Sequence, residues 1–315
     1  MLTDLVGAGG LELREVAAPT APAGGVVVKV GAAGVNYPDL LAMRGEYQVR
    51  TPVPFVPGNE VAGTVVATGP GSEYVVGDRV MALCGTGGYA ELVAVADDLL
   101  VRTPEPLDDA HAVALVANHQ TAYFSLAVRA GLSAGDRVVV LGAAGGLGSA
   151  SVQVAAAMGA RVVAVVHREG AADFVHGLGA ESVVRLAGDW GREVKAVLGA
   201  ADVLVDPVGG DAFDAAVRVI APGGRLVVVG FAGGDIPQLK VNRLLLRNIA
   251  VVGAGWGEWL RTSPESLTEI ADGVAGLVRD GLRPPVTGRY PLDRGREAVQ
   301  ALANGDVRGK VVIEP

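Results

Sequence analysis

The sequence predicts an α/β fold: a doubly wound parallel sheet inserted into a β-rich domain. Three observations lead there. Short apolar strand candidates set apart by Gly and Pro clusters fill the first third, strands and helices alternate between residues 137 and 252, and the closing residues return to the pattern of the opening. At about 100–200 residues per domain, a chain of 315 residues holds two. The expected partition is 1–115 plus 284–315 for the β-rich domain and 116–283 for the α/β domain.

Residues 26–30, 61–68 and 79–83 are Val- and Ala-rich runs bounded by Gly and Pro clusters at 22–25, 52–58 and 69–71, the pattern of short strands between turns. Strands at that spacing predict an irregular barrel or sandwich. Residues 108–130 are rich in Ala and Leu and read as a helix started by Asp108 or Asp109. Strands at 137–141, 161–166, 182–185, 203–206 and 225–229 then alternate with helices at 148–158, 171–178 and 213–220. Alternation of this kind builds a parallel sheet covered on both faces, because a parallel neighbour is reached only through a crossover. Residues 249–252 read as its last strand. Residues 263–280 read as a helix with Ser263 as N-cap and Pro264 in the first turn. After Pro284-Pro285 come a short strand, a helix at 293–303 and a strand at 310–313.

Composition narrows the function classes. Half of the chain is hydrophobic and 19% is charged, which supports a large core and argues against disorder. The net charge of −8 repels phosphate backbones, so no nucleic-acid partner is expected. Cys84 is the single cysteine, which excludes an intrachain disulfide and a Cys-rich zinc site. Residues 138–160 carry no charge and are long enough to cross a bilayer. The glycines at 142–148 and Gln153 interrupt them, so they read as strand, loop and helix of a buried sheet. Met1-Leu2-Thr3-Asp4 lacks the basic and apolar parts of a secretory leader; a cytoplasmic protein without membrane association is expected.

The strongest local motif is Ala143-Ala144-Gly145-Gly146-Leu147-Gly148, which follows one predicted strand and opens a helix. It is a GxGxxG fingerprint with Ala143 at the first glycine. In a Rossmann-type unit Gly145 admits a pyrophosphate to the backbone and Gly148 admits the helix to the strand. The helix N-terminus offers its N–H groups to the phosphates, with Ala144, Gly145, Gly146, Leu147 and Gly148 as the contact residues. The second strand ends at His167-Arg168, with no acid at its tip. A guanidinium there suits a 2′-phosphate. One such charge-assisted bond contributes about 1.5–3 kcal/mol, roughly a 10- to 150-fold preference for NADPH over NADH. Arg185, near the end of the next strand, is a second candidate.

Several segments together are similar to a known group: Gly34-Val35-Asn36-Tyr37-Pro38-Asp39, Arg44-Gly45-Glu46-Tyr47, Pro57-Gly58-Asn59-Glu60-Val61-Ala62-Gly63, Gly77-Asp78-Arg79-Val80, the glycine loop, Gly223-Gly224-Arg225-Leu226 and Gly309-Lys310-Val311-Val312. They resemble the zinc-independent quinone oxidoreductase branch of the medium-chain dehydrogenase/reductase superfamily. The resemblance implies a GroES-like β-barrel domain carrying an inserted Rossmann domain. It also implies NADPH as cofactor, no zinc, a small-molecule substrate, and a homodimer paired through Val251-Val252. In the zinc-containing branch a Cys stands where this chain has Asn36 and a His where it has Asn59, and amides do not replace such ligands. Relatives place a Lys and a Tyr around the 2′-phosphate where this chain has Ala171 and Leu186. The resemblance carries Thr121, Val208, Gly230, Phe231 and Lys310 over as further cofactor-binding residues, with His167 beside Arg168. Asp206-Pro207-Val208-Gly209-Gly210 matches the family segment that lines the cofactor cleft.

Two polar residues are implied near the chemistry. Asn36 aligns close to the nicotinamide, as a donor to the acceptor oxygen or to the ribose. Tyr47 stands where related enoyl-thioester reductases hold a proton donor; a pocket-wall role is the alternative. His119 is expected to be structural, Cys84 a small buried hydrophobe, and Trp256 and Trp259 either core residues or the rim of a cleft or subunit contact. Without a Lewis acid an activated acceptor is expected. The leading reading is NADPH-dependent reduction of quinones. The rival is reduction of α,β-unsaturated ketones, aldehydes or enoyl thioesters. A third is a low-turnover NADPH-binding sensor or partner-binding protein.

Overall fold

Strand β1 (Gly25–Val35) is apolar along most of its length because both its faces are covered; only Lys29 is exposed. It is followed by α1 (Tyr37–Met43), β2 (Glu60–Thr68), β3 (Arg79–Leu83), β4 (Leu92–Ala96) and β5 (Leu100–Arg102). A helical run comes next: α2 (Asp109–Ala114), a π segment at Leu115–His119, α3 (Gln120–Tyr123) and a second π segment at Phe124–Arg129. The alternating part contains β6 (Arg137–Leu141), α4 (Gly146–Ala157), β7 (Arg161–Val166), α5 (Ala172–Gly177), β8 (Ser182–Arg185), α6 (Trp190–Leu198), β9 (Ala201–Asp206), α7 (Ala212–Val219), β10 (Ile220–Val228), α8 (Asn242–Arg247), β11 (Ala250–Gly253), α9 (Trp256–Thr262) and α10 (Ser266–Arg279). The chain closes with β12 (Val286–Pro291), α11 (Gly295–Ala303) and β13 (Lys310–Glu314). This computed structural model describes residues 1–315, in two units: Met1–Ala117 with Arg283–Pro315, and Asn118–Leu282.

In the first unit the sheet order is β12-β13-β1-β2-β3-β5, with β4 also on β1. The first half of β1 pairs with β4, from Gly25–Ala96 to Lys29–Leu92, and its second half with β13, from Ala33–Ile313 to Val35–Val311. That second pairing is what brings Lys310 into the same unit as residues 25–102. The core joins Val26, Val28 and Val30 to Leu40, Met43, Val61, Val65 and Ile313.

The second unit is a six-stranded sheet of order β11-β10-β9-β6-β7-β8, parallel throughout. From β6 the chain builds outward through β7 and β8, then crosses to β9 on the other side. Neighbouring β6 and β9 are therefore the topological switch point, where a crevice opens beyond the carboxyl ends Leu141 and Asp206. The central strands read as continuous apolar runs because helices cover both faces. Their core includes Val139, Leu141, Val163, Val165, Leu204 and Leu226.

The structure departs from the sequence reading in four places. The run 108–130 is an α-helix broken by two π segments, with Asp108 as N-cap, its Oδ1 accepting from His111 N at 2.9 Å. Helix α4 starts at Gly146 rather than 148. Ser263 ends α9 instead of capping α10: its N–H bonds Trp259 O at 2.9 Å, and α10 starts three residues later. Finally, α1, β4, β5, α6, α8 and α9 are additional elements. The segment 138–160 is β6, the glycine loop and α4, and no helix is long and apolar enough to cross a membrane.

Candidate active site

The glycine loop lies at the carboxyl end of β6. Gly142 has φ +59° and its carbonyl accepts from Gly145 N at 3.0 Å. The tight turn is thus made one residue before Ala143, which instead prolongs the sheet by donating to Val165 O at 3.1 Å. A Cβ on Gly148 would lie 2.1 Å from Gly142 O, so only glycine lets α4 approach the strand this closely. Gly145 is the N-cap of α4 and supplies no side-chain acceptor, which leaves the first-turn N–H groups available to an anion. These features fit a dinucleotide diphosphate. A Cβ on Gly146 would meet Asn118 Nδ2 at 2.6 Å, a neighbour that the sequence reading did not anticipate.

Two further loops share this end of the sheet. Asp206, buried at the end of β9, accepts from Val208 N and Gly209 N on Oδ1, both at 2.8 Å. Its Oδ2 is buried without a partner, and burial raises the carboxyl's pKa. The turn held this way sets Val208 Cγ2 3.1 Å from where a Cβ of Gly142 would be. The loop after β10 bonds back to it, Ala232 N to Pro207 O at 3.1 Å and Gly233 N to Val208 O at 2.8 Å. The glycine loop, Val208, Gly230 and Phe231 therefore come together, and Phe231 is partly exposed.

At the tip of β7, His167 and Arg168 are exposed, and Val166 lies opposite Arg185 of β8. Arg185 forms an ion pair with Glu169. Ala171 is buried and Leu186 packs on the core, so neither offers a polar group. Thr121 is half-buried on α3. His119 is buried with its Nε2 3.0 Å from Gln153 Oε1. Trp256 is buried 5.2 Å from the Phe124 ring, which makes it a core residue; the half-buried Trp259 ring lies 5.5 Å from the same Phe124.

The first unit holds a buried polar network centred on Asn36. Asn36 Nδ2 donates to Glu60 Oε1 at 2.7 Å and to Asn59 Oδ1 at 3.0 Å. Lys310 Nζ donates to Asn36 Oδ1 at 2.6 Å and pairs with Glu60 Oε1. Glu60 Oε2 accepts from Ala117 N at 2.6 Å. A carboxylate only accepts and an ammonium only donates, so these charges decide which way the Asn36 amide faces. Both its N–H bonds are used within the unit. What Asn36 has left to offer in this arrangement is the second lone pair of Oδ1. Gly34 makes room for the pair, since a Cβ there would lie 1.9 Å from Glu60 Oε1. Glu60, which joins Asn36, Lys310 and Ala117 in this network, was not singled out from the sequence. The available signal was an acid opening an otherwise apolar strand, three residues before Gly63.

Asp39 adjoins this network and accepts on Oδ2 from Asn36 N at 2.9 Å and from Tyr89 OH at 3.2 Å. Burial pushes its pKa up to about 7. Cys84 Sγ donates to Gly58 O at 3.4 Å, and burial raises its thiol pKa, consistent with an inert residue. Tyr47 is half-buried in the loop after α1.

Known proteins share this architecture. The alcohol dehydrogenase GroES-like domain model matches residues 22–105, and the zinc-binding dehydrogenase model matches residues 146–272. The quinone oxidoreductase-like protein 2 homolog of Nematostella vectensis is 37% identical over 300 residues, covering 91% of this chain and 81% of the relative. The chain belongs to the quinone oxidoreductase branch of the medium-chain dehydrogenase/reductase superfamily. It is an oxidoreductase dependent on a nicotinamide dinucleotide. Among solved structures, a probable oxidoreductase from Mycobacterium abscessus superposes with TM-score 0.92 at 49% identity, covering 99% of this chain and 97% of the other. The quinone oxidoreductase of Thermus thermophilus, solved also with NADPH, gives TM-score 0.83 at 35% identity over 100% of this chain and 98% of its own.

One matching model is described by zinc, and the donor set here does not fit that metal. Two of the polar groups are amides, and the one carboxylate among them, Glu60, already holds the Lys310 ammonium. No three His, Cys, Asp or Glu side chains are grouped to hold a metal ion.

Proposed function

We propose that this protein reduces quinones with hydride from NADPH, without zinc. The observation that carries the reading is the Asn36–Asn59–Glu60–Lys310 network, in which two amides stand where the resemblance puts a Cys and a His ligand, and the Lys310 ammonium already occupies Glu60. A site of this composition offers no Lewis acid to an unactivated alcohol. It suits an acceptor whose ring delocalises the incoming charge.

When bound, NADPH supplies the hydride. The α4 N-terminus and Gly145–Gly148 hold the diphosphate, Val208, Gly230 and Phe231 line the same crevice, and Arg168 and Arg185 face the 2′-phosphate. Asn36, with its N–H groups committed, receives a hydrogen bond on Oδ1, and Lys310 keeps one of its three N–H donors beyond the two in use. Tyr47 serves as proton donor only in the rival reaction, where hydride addition to an enone leaves an enolate to be protonated.

NADPH oxidation is measured with 1,4-benzoquinone, 9,10-phenanthrenequinone, an alkenal and a crotonyl thioester, for the native protein and Tyr47→Phe. The expected result is turnover with the quinones, changed less than about twofold by the substitution. Turnover confined to the alkenal and thioester, falling more than tenfold in Tyr47→Phe, selects the rival. Tight NADPH binding with no turnover selects the sensor.

A further inference from the structure

The tip of β7 carries both signs of charge. β7 ends at Val166, directly opposite Arg185 on β8. His167, Arg168 and Glu169 follow in an exposed turn that Gly170 closes with φ +74°. The ion pair with Arg185 draws Glu169 back to the strand end, although in sequence it lies three residues beyond it. NADPH and NADH differ only at the ribose 2′-oxygen. A phosphate there is close to a dianion and needs cations, whereas a hydroxyl is a donor and needs an acceptor. Arg168 and Arg185 supply the first requirement, and Glu169 supplies the second. The Glu169 and Arg185 side chains are 79% and 55% exposed. A pair so open to solvent is weak, and a phosphate dianion can displace its carboxylate.

We propose that Glu169 is a specificity-determining residue of the coenzyme site. Without a 2′-phosphate it neutralises Arg185 and accepts the 2′-hydroxyl of NADH. The 2′-phosphate of NADPH takes Arg185 from it and meets its repulsion. The chain then uses both coenzymes, with an NADPH preference that Glu169 holds below what the two arginines would give alone. The inference rests on the dinucleotide-binding reading of the β6–α4 loop.

The test is calorimetric titration of the native protein, Glu169→Gln and Arg185→Ala with NADPH and NADH. The fragments 2′,5′-ADP and 5′-ADP serve as probes that need no turnover. In Glu169→Gln, NADPH and 2′,5′-ADP are expected to bind about 3- to 10-fold more tightly and NADH about 3- to 10-fold more weakly, with the gain shrinking in high salt. In Arg185→Ala, NADPH weakens about tenfold and NADH does not. An NADPH-to-NADH affinity ratio unchanged in Glu169→Gln overturns the inference and leaves the dinucleotide reading standing. Failure of the native protein to bind either coenzyme or either fragment overturns both.

Discussion

Lys310→Met removes the one cation from the buried network and nearly preserves side-chain volume. The Glu60 and Lys310 side chains are 0% and 2% exposed, so water does not replace the lost partner. Glu60 keeps two hydrogen bonds, from Asn36 Nδ2 and Ala117 N, but its charge is stranded. Removing one partner of a buried pair costs about 3–5 kcal/mol, and replacing both with neutral groups costs far less. The two remaining hydrogen bonds place the single variant near the lower bound, about 3 kcal/mol, which is roughly a 150-fold change in the folding equilibrium. Glu60→Gln with Lys310→Met removes both charges and keeps an amide facing Asn36. It is expected to recover more than half of that loss. All three tryptophans, Trp190, Trp256 and Trp259, lie in the second unit, so their fluorescence does not report on the first. Urea unfolding is therefore followed by circular dichroism together with hydrogen exchange of the β1 and β13 amides. A single variant within 1 kcal/mol of the native protein, or a double variant no more stable than the single, would refute the reasoning.

Two other outcomes are expected. Burial raises the Asp39 carboxyl from its ordinary pKa of 3.8 to about 7. A raised acid contributes stability that is complete below the unfolded value and is lost as pH rises through the folded one. The native protein should thus lose stability between about pH 4 and 7, by up to about 1.4 kcal/mol per pH unit, and Asp39→Asn should flatten that slope in urea titrations; equal slopes for both proteins would contradict it. Gly148→Ala places a Cβ 2.1 Å from the Gly142 carbonyl, so α4 must shift away from the loop. NADPH affinity is expected to fall at least tenfold by calorimetry, and an unchanged affinity would show that this turn does not cradle the diphosphate.

What was readable in the residues was local. Strands 137–141 and 161–166 match β6 and β7 end to end, because each is an unbroken apolar run that opens at an arginine and stops at a glycine turn or at His167-Arg168. The glycine loop was equally legible, since a helix starting against a strand needs residues without Cβ. Helix α6 was missed although Asp189 caps it and Trp190, Val194 and Leu198 bury at spacing i, i+4, i+8; the charges between them masked the stripe. The second half of the Ser263 region was misread because Ser263-Pro264 looks like a helix start, while Trp259 and Thr262 already made that turn the end of another helix.

The functional details were decided elsewhere. By itself the amino-acid order determined a doubly wound sheet with a diphosphate-shaped turn, since backbone sterics and apolar periodicity act between near neighbours. Only the tertiary structure decided that Lys310 meets Glu60, 250 residues away, and that the Asn36 amide faces them as it does. Register decided that Arg185 stands across from Val166 within reach of Glu169. Hydrogen-bond direction and charge pairing depend on distances of about 3 Å, and those distances exist only once β13 has paired with β1 and β8 with β7.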